Sequence, residues 1–157
     1  MGSMEPKKIP RRDVARLTPE EQAAFLRDAK KAALATLDSE GFPHVVAMNI
    51  MVRDGAVFMT SYGKAQKVVN IRRNPKVGVM IESGRKYSEL RGVMIRGECE
   101  IFDNPATVQF IMRSILGVDG SAPANERTVS SASKRVVLKV TPKKISSWDH
   151  SKLGGRY

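Results

Sequence analysis

The chain reads as a mainly β protein, an antiparallel β-barrel with a few peripheral helices. Three observations lead there. Six strand-like segments follow one another, several joined by tight turns. The βαβ spacing of a doubly wound parallel sheet is missing, and so is a G-x-G-x-x-G turn. The 157 residues, 41% apolar and 27% charged, have the composition of one ordinary globular domain with room for a real core.

Met1-Gly2-Ser3 ahead of Met4 reads as a cloning remnant, and residues 4–17 as a loose, basic, proline-broken arm. Residues 18–157 form the single domain. Thr18-Pro19-Glu20-Glu21 is a capping box with Pro at the first helical position, so a helix starts there and runs to about residue 30. Residues 32–37 form the first strand, and 38–41 a turn rich in turn-forming residues. Residues 44–52 form the second strand, Arg53-Asp54-Gly55 a hairpin turn and 56–61 the third strand. A short helix then stops at Asn74-Pro75, and 76–82 is the fourth strand. Residues 90–102 form a long fifth strand with Val93, Ile95, Cys99 and Ile101 on one face and Arg96, Glu98 and Glu100 on the other. Gly97 marks a bulge or a close backbone approach. Asn104-Pro105 opens a helix to about residue 116, a polar loop covers 117–127, and 135–140 is the sixth strand, continuing irregularly to 145.

Lys plus Arg total 27 against 16 acidic residues, a net charge of +11. Such a field draws polyanions. Basic runs at Lys7, Lys8, Arg11 and Arg12, and again at Lys134, Arg135, Lys139, Lys143 and Lys144, read as solvated arms. Nucleic acid is not expected: helix-turn-helix, RRM and zinc-finger signatures are missing, and the 6% of aromatic residues are not interleaved with the basic runs. No membrane association is expected either, because no apolar run reaches spanning length. A charged N-terminus without an apolar stretch, together with one cysteine, leads to a cytoplasmic expectation.

Metal chemistry is excluded on residue supply. His44 and His150 are the two histidines, and no ligand cluster accompanies them. Cys99 reads as a small core residue, and neither a nucleophilic triad nor a glycosidase-type carboxylate pair stands out. The informative stretch is TSYGKAQKVVNIRRNP, residues 60–75. Thr60 and Ser61 end a strand, and a helix carrying Lys64, Lys67, Arg72 and Arg73 follows. Free N–H groups at a helix N-terminus, flanked by hydroxyls and lysines, make a phosphate cradle. The competing reading is a solvated basic helix after an edge strand. The spacing is not that of a P-loop. Asn49, mid-strand, needs a partner on a neighbouring strand, in solvent or in a ligand cleft. Trp148 in the polar tail either seals the barrel end or stacks on a planar ligand.

Four motifs taken in order, AALATLDSEGFPHVVAMN, TSYGKAQKVVNIRRNPKVGVMIE, YSELRGVMIRGECEI and SSWDHSKLGG, span residues 32–155. With them the chain resembles the pyridoxamine 5'-phosphate oxidase-like, FMN-binding split barrels. Within these it is most similar to the flavin/deazaflavin oxidoreductases of the B type, many of them F420-dependent. The resemblance implies a six-stranded split barrel and a homodimer with flavin sites at its interface. It implies a flavoprotein, with F420 or FMN as cofactor, that transfers a hydride to or from a small organic substrate. The family's phosphate-binding lysine matches Lys67, its strand-end hydroxyls Thr60 and Ser61, and its helix asparagine Asn70. Its ring-lining strand matches Val46, Ala47, Met48 and Asn49. Its C-terminal tryptophan matches Trp148, reaching the site from the partner subunit. No catalytic residue is expected, because the cofactor carries the chemistry. Ala65-Gln66-Lys67 stands where true pyridoxamine phosphate oxidases have Ser-Arg-Lys, so vitamin B6 oxidation is not expected. Lys64 and Arg72 or Arg73 are the candidates to replace the lost phosphate contacts. The alternative is a non-catalytic flavin- or haem-binding module on the same fold.

Overall fold

The computed structural model describes residues 10–155 except 122 and 124; residues 1–3, Lys7 and Lys8 lie outside the described residues. Within it seven strands form one antiparallel sheet: β1 Lys31–Leu37, β2 Pro43–Asn49, β3 Met51–Arg53, β4 Ala56–Tyr62, β5 Lys76–Ser83, β6 Arg91–Phe102 and β7 Arg135–Asp149. Their order is β2-β1-β5-β6-β7-β4-β3. The two edge strands, β2 and β3, are therefore consecutive in the chain, with Ile50 alone between them. A sheet whose edges are one residue apart must curl until they nearly meet, and this is the split barrel that the sequence predicts.

The expected second strand, 44–52, is two strands. Ile50 is fully buried, and its N–H donates to Lys30 O at 2.9 Å. Before it the chain pairs with β1, and after it with β4. The hairpin after β3 has Asp54 at φ 51° and Gly55 at φ 76°, the left-handed pair that a tight two-residue turn requires.

Alternation sorts the side chains. Leu34, Val57, Met59, Val79, Val93, Ile95, Leu138 and Val140 fill the inside of the curl. Helix α3 (Gln66–Arg73) adds Val68 and Ile71, and α2 (Pro19–Asp28) adds Leu26. Cys99 belongs to this core, and burial pushes its thiol up to about 12, helped by the Glu100 charge. On the outer face of β4 and β7, helices α4 (Pro105–Ile115) and α5 (Glu126–Ala132) close a second cluster around Val108, Ile111, Ala132 and Val137.

Two expectations about the basic runs change. From Pro10 onward the arm is docked: it forms a short helix, α1 (Arg11–Val14), and buries Ala15 and Leu17. The Asp149 N–H donates to Ala15 O at 2.6 Å, and Lys152 Nζ donates to Arg16 O at 3.0 Å. Two apolar residues in a basic run suffice to anchor it. The second run is no arm but strand β7, whose Lys139 and Lys143 meet Glu100 and Glu98 of β6 at 3.6 and 3.5 Å. The β6–β7 register shifts between Arg96 and Gly97, so the bulge expected there is present. Gly97 is also a close approach, since a Cβ would stand 2.7 Å from Thr141 O.

Candidate functional site

The phosphate cradle forms where β4 hands over to α3. Ala65 is the N-cap of α3 and offers no side-chain acceptor; the Val68 N–H donates to Ala65 O at 2.9 Å, and among the described residues the Gln66 and Lys67 N–H groups stay available to an anion. Lys64 is exposed and Lys67 half-buried beside them. Lys67 Nζ donates to Ser61 Oγ at 3.4 Å; its partner is a hydroxyl, so the charge is not neutralised.

Pleating divides the expected set. Val57, Met59 and Ser61 face the core, and Ser61, opposite Val136, is 4% exposed. Thr60 faces the other way, opposite Val137 and toward α4. There it meets Ala47, Met48 and Asn49 of β2 in a cleft of about 280 Å³, closed by Met112 and Ile115 of α4, by Leu116 just after it and by Arg135. The volume lies just under the usual range for ligand pockets. The cleft thus brings together four of the expected residues from strands 11 or more positions apart in sequence, Asn49 and Thr60 being the nearest pair. It does not take in the others. Val46 packs against the main core; Met48, two residues on, packs there too but also borders the cleft. Trp148 lies opposite Gly92 on β6, where a Cβ would stand 2.4 Å from its ring, so only glycine admits it.

Asn70 is fully buried, and its amide is engaged twice: Nδ2 donates to Thr36 Oγ1 at 3.0 Å, and Oδ1 accepts from Gln66 Nε2 at 2.8 Å. It pins α3 to β1. Arg72 donates to Gly63 O at 3.0 Å and Arg73 donates to Leu37 O, so both brace the helix from backbone carbonyls. Lys64 is the candidate left to supplement Lys67. The α4 residues and Arg135 are absent from the sequence-derived set. Met112, Ile115 and Leu116 carry only the signal of an amphipathic helix, and Arg135 is hidden in a basic run. Among the described residues no group of three His, Cys, Asp or Glu side chains could hold a metal ion, and no helix is long and apolar enough to cross a membrane.

A curled antiparallel sheet split at one residue, with a cationic helix N-terminus next to a half-open cleft, defines a split-barrel protein of the flavin-binding type. The comparisons agree. Residues 9–149 match the pyridoxamine 5'-phosphate oxidase family, and the chain belongs to it. No curated protein matches the sequence. Among solved structures, the conserved hypothetical protein Rv2991 from Mycobacterium tuberculosis is 30% identical at a TM-score of 0.80, with 95% of each chain covered. An F420 reductase is 26% identical at 0.67, covering 82% of this chain and 98% of its own. The haem storage protein HutZ from Vibrio cholerae, 18% identical at 0.63 and covering 83% and 93%, shares the fold.

Proposed function

We propose that the chain is a flavin- or deazaflavin-dependent oxidoreductase that moves a hydride between bound FMN or F420 and a small organic substrate. One observation carries this reading: Ala47, Met48, Asn49 and Thr60 line one cleft, while Lys67 and the open N-terminus of α3 stand at the end of the same β4 strand. The donor set fits a phosphate, with ammonium, hydroxyl and backbone N–H groups converging. When bound, a flavin or deazaflavin supplies the hydride chemistry, so the protein need only bind, orient and exclude water. Lys67 and Lys64 would hold the phosphate end. Met48, Asn49 and Thr60 would frame the ring, and the apolar side of α4 would keep water from it. The similarity to an F420 reductase supports the deazaflavin side of the pair.

A homodimer belongs to the same reading. The outer face of β2, β1, β5 and β6 carries two apolar rows: Val45, Ala35 and Gly78, and Ala47, Ala33, Met80 and Met94. Val45 is 58% exposed, Met80 43% and Met94 36%, a contiguous patch of the kind that partners cover. Ala47 stands both in that row and at the cleft, which supports a cofactor site shared between subunits. Vitamin B6 oxidation is not proposed: Gln66, where the true oxidases carry arginine, spends its amide on Asn70. A haem-handling role is favoured less, because His150 is engaged elsewhere. Its Nδ1 lies 3.1 Å from Tyr87 O, its ring packs on Tyr87 at 4.4 Å, and it does not line the cleft.

Absorbance and fluorescence titration with FMN and, separately, with F420 tests the proposal. Tight binding of one is the expected result. Binding of neither below about 100 µM, roughly 5 kcal/mol of affinity, removes its basis.

A further inference from the structure

Arg135 opens β7 directly opposite Tyr62. Its guanidinium lies over the Tyr62 ring, 4.2 Å from the centroid, and its Nε donates to Ser131 Oγ at 3.3 Å. It lines the cleft together with Asn49 and Thr60, facing the apolar wall of Met112, Ile115 and Leu116. Among the described residues no carboxylate forms an ion pair with it. The ring and Ser131 fix the plane of the guanidinium, and among the described residues no acceptor takes up the donors on its two terminal nitrogens. A fixed cation, an amide and a hydroxyl across from an apolar wall select a ligand with an apolar or planar body and one anionic group.

We propose that Arg135 binds the phosphate or carboxylate of the ligand held in this cleft. The inference rests on the oxidoreductase reading, in which the anion belongs to either the cofactor or the substrate.

Calorimetric titration of the full-length chain separates the two sources. FMN is compared with riboflavin on the cofactor-free protein, and benzoate with benzamide on the FMN-loaded protein, for the wild type, Arg135→Ala and Arg135→Lys. In the wild type the anionic member of a pair binds more tightly. Arg135→Ala removes about tenfold or more of that preference, the worth of a hydrogen bond to a charged group. Arg135→Lys recovers part of it, keeping the charge and losing the planar fork. A loss confined to FMN against riboflavin assigns the anion to the cofactor. A loss confined to benzoate against benzamide assigns it to the substrate. Either result supports the proposal.

Anion preferences untouched by Arg135→Ala, or absent from the wild type, overturn it. Melting curves of the same samples separate a lost anion site from a lost fold. Should Arg135→Ala not fold, Tyr62→Leu replaces it: removing the ring platform lowers the preference about threefold, and no change overturns the proposal. If neither FMN nor F420 binds the wild type, benzoate and benzamide are titrated on the cofactor-free protein. An Arg135-dependent preference there leaves the anion site standing while the oxidoreductase reading falls.

Discussion

Helices α3 and α4 both lean on the curled sheet, yet different chemistry fastens them. Helix α3 is held by directional polar pins: Asn70 to Thr36, Arg72 to Gly63 O and Arg73 to Leu37 O, around the apolar anchors Val68 and Ile71. Helix α4 meets the sheet through Val108 and Ile111, and the chain leaves it at Leu116, which is 70% exposed. Hydrogen bonds are directional and so fix position and rotation, and at buried Asn70 a lost partner also costs the full desolvation penalty. Apolar contact is non-directional and tolerates a gap. The helix held by polar pins carries the phosphate cradle, whose donors must point one way to be useful, and the helix seated on apolar contact borders the cleft.

The largest effect that can break this contrast is on ligand affinity. Lys67→Ala should weaken cofactor binding by about 1.5–3 kcal/mol, the typical worth of a hydrogen bond to a charged group. The same titration on Leu116→Ala should show a much smaller change. Unchanged affinity in Lys67→Ala would remove α3 from the site.

Next comes stability. Asn70→Ala leaves Thr36 Oγ1 without its donor in a fully buried position, and should cost about 1–3 kcal/mol in thermal or urea unfolding. Leu116→Ala, at an exposed helix end, should stay within about 0.5 kcal/mol of wild type. Equal losses would show that polar pins do not distinguish the two helices.

A third variant fills the gap instead of removing a pin. Met112→Trp places a large ring in the cleft and should lower ligand affinity about tenfold, roughly 1.4 kcal/mol, with little change in circular dichroism. Retained affinity would locate the ligand elsewhere.

The smallest effect concerns α2, where a pin of the same kind sits in solvent. Glu21 accepts from the Lys152 ammonium and from the Thr18 N–H, and its carboxyl is held below the usual range, first by the Lys152 hydrogen bond. A depressed carboxylate contributes stability that is complete above its unfolded pKa and drains away as the pH falls through its folded one. Wild type should therefore lose a small increment of melting temperature on acidification below the ordinary Glu range, about pH 4, and Glu21→Gln should lose less. Its small size would show that burial, and not hydrogen bonding alone, makes the Asn70 pin strong.

Local grammar was legible in the chain. The Thr18 capping box, the Asp54-Gly55 hairpin and the Asn104-Pro105 helix start all rest on interactions within a few residues, and all appear in the structure; the bulge at Gly97 appears too, signalled by its glycine although its partner strand is β7. The break at Ile50 was not legible, because the run 44–52 keeps a strand pattern throughout while its pairing partner changes. The docking of residues 10–17 was hidden for a similar reason: the partner of Ala15 is Asp149, at the other end of the chain.

Of the candidate site, the residue types were readable and the facing was not. The sequence places Thr60 and Ser61 side by side, and strand pleating alone sends one to the cleft and the other to the core. Asn70 could be singled out as a polar residue on a short helix, but only the packing shows that Thr36 and Gln66 take up its amide. Arg135 is the extreme case. By sequence it is one cation in a basic run, and only the β4–β7 register sets it across from Tyr62 and at the mouth of the cleft.

By itself, then, the sequence determined the class of fold, the order of its elements and the cationic helix that follows β4, because propensity, capping and alternation act over a few neighbouring residues. Tertiary structure decided which strand each half of 43–53 pairs with, which hydroxyl faces the cleft and which arginine borders it. The first depends on where two neighbouring hairpins meet at Ile50, and the others on the register between β4 and β7, far apart in the chain, where a shift of one residue reverses every facing.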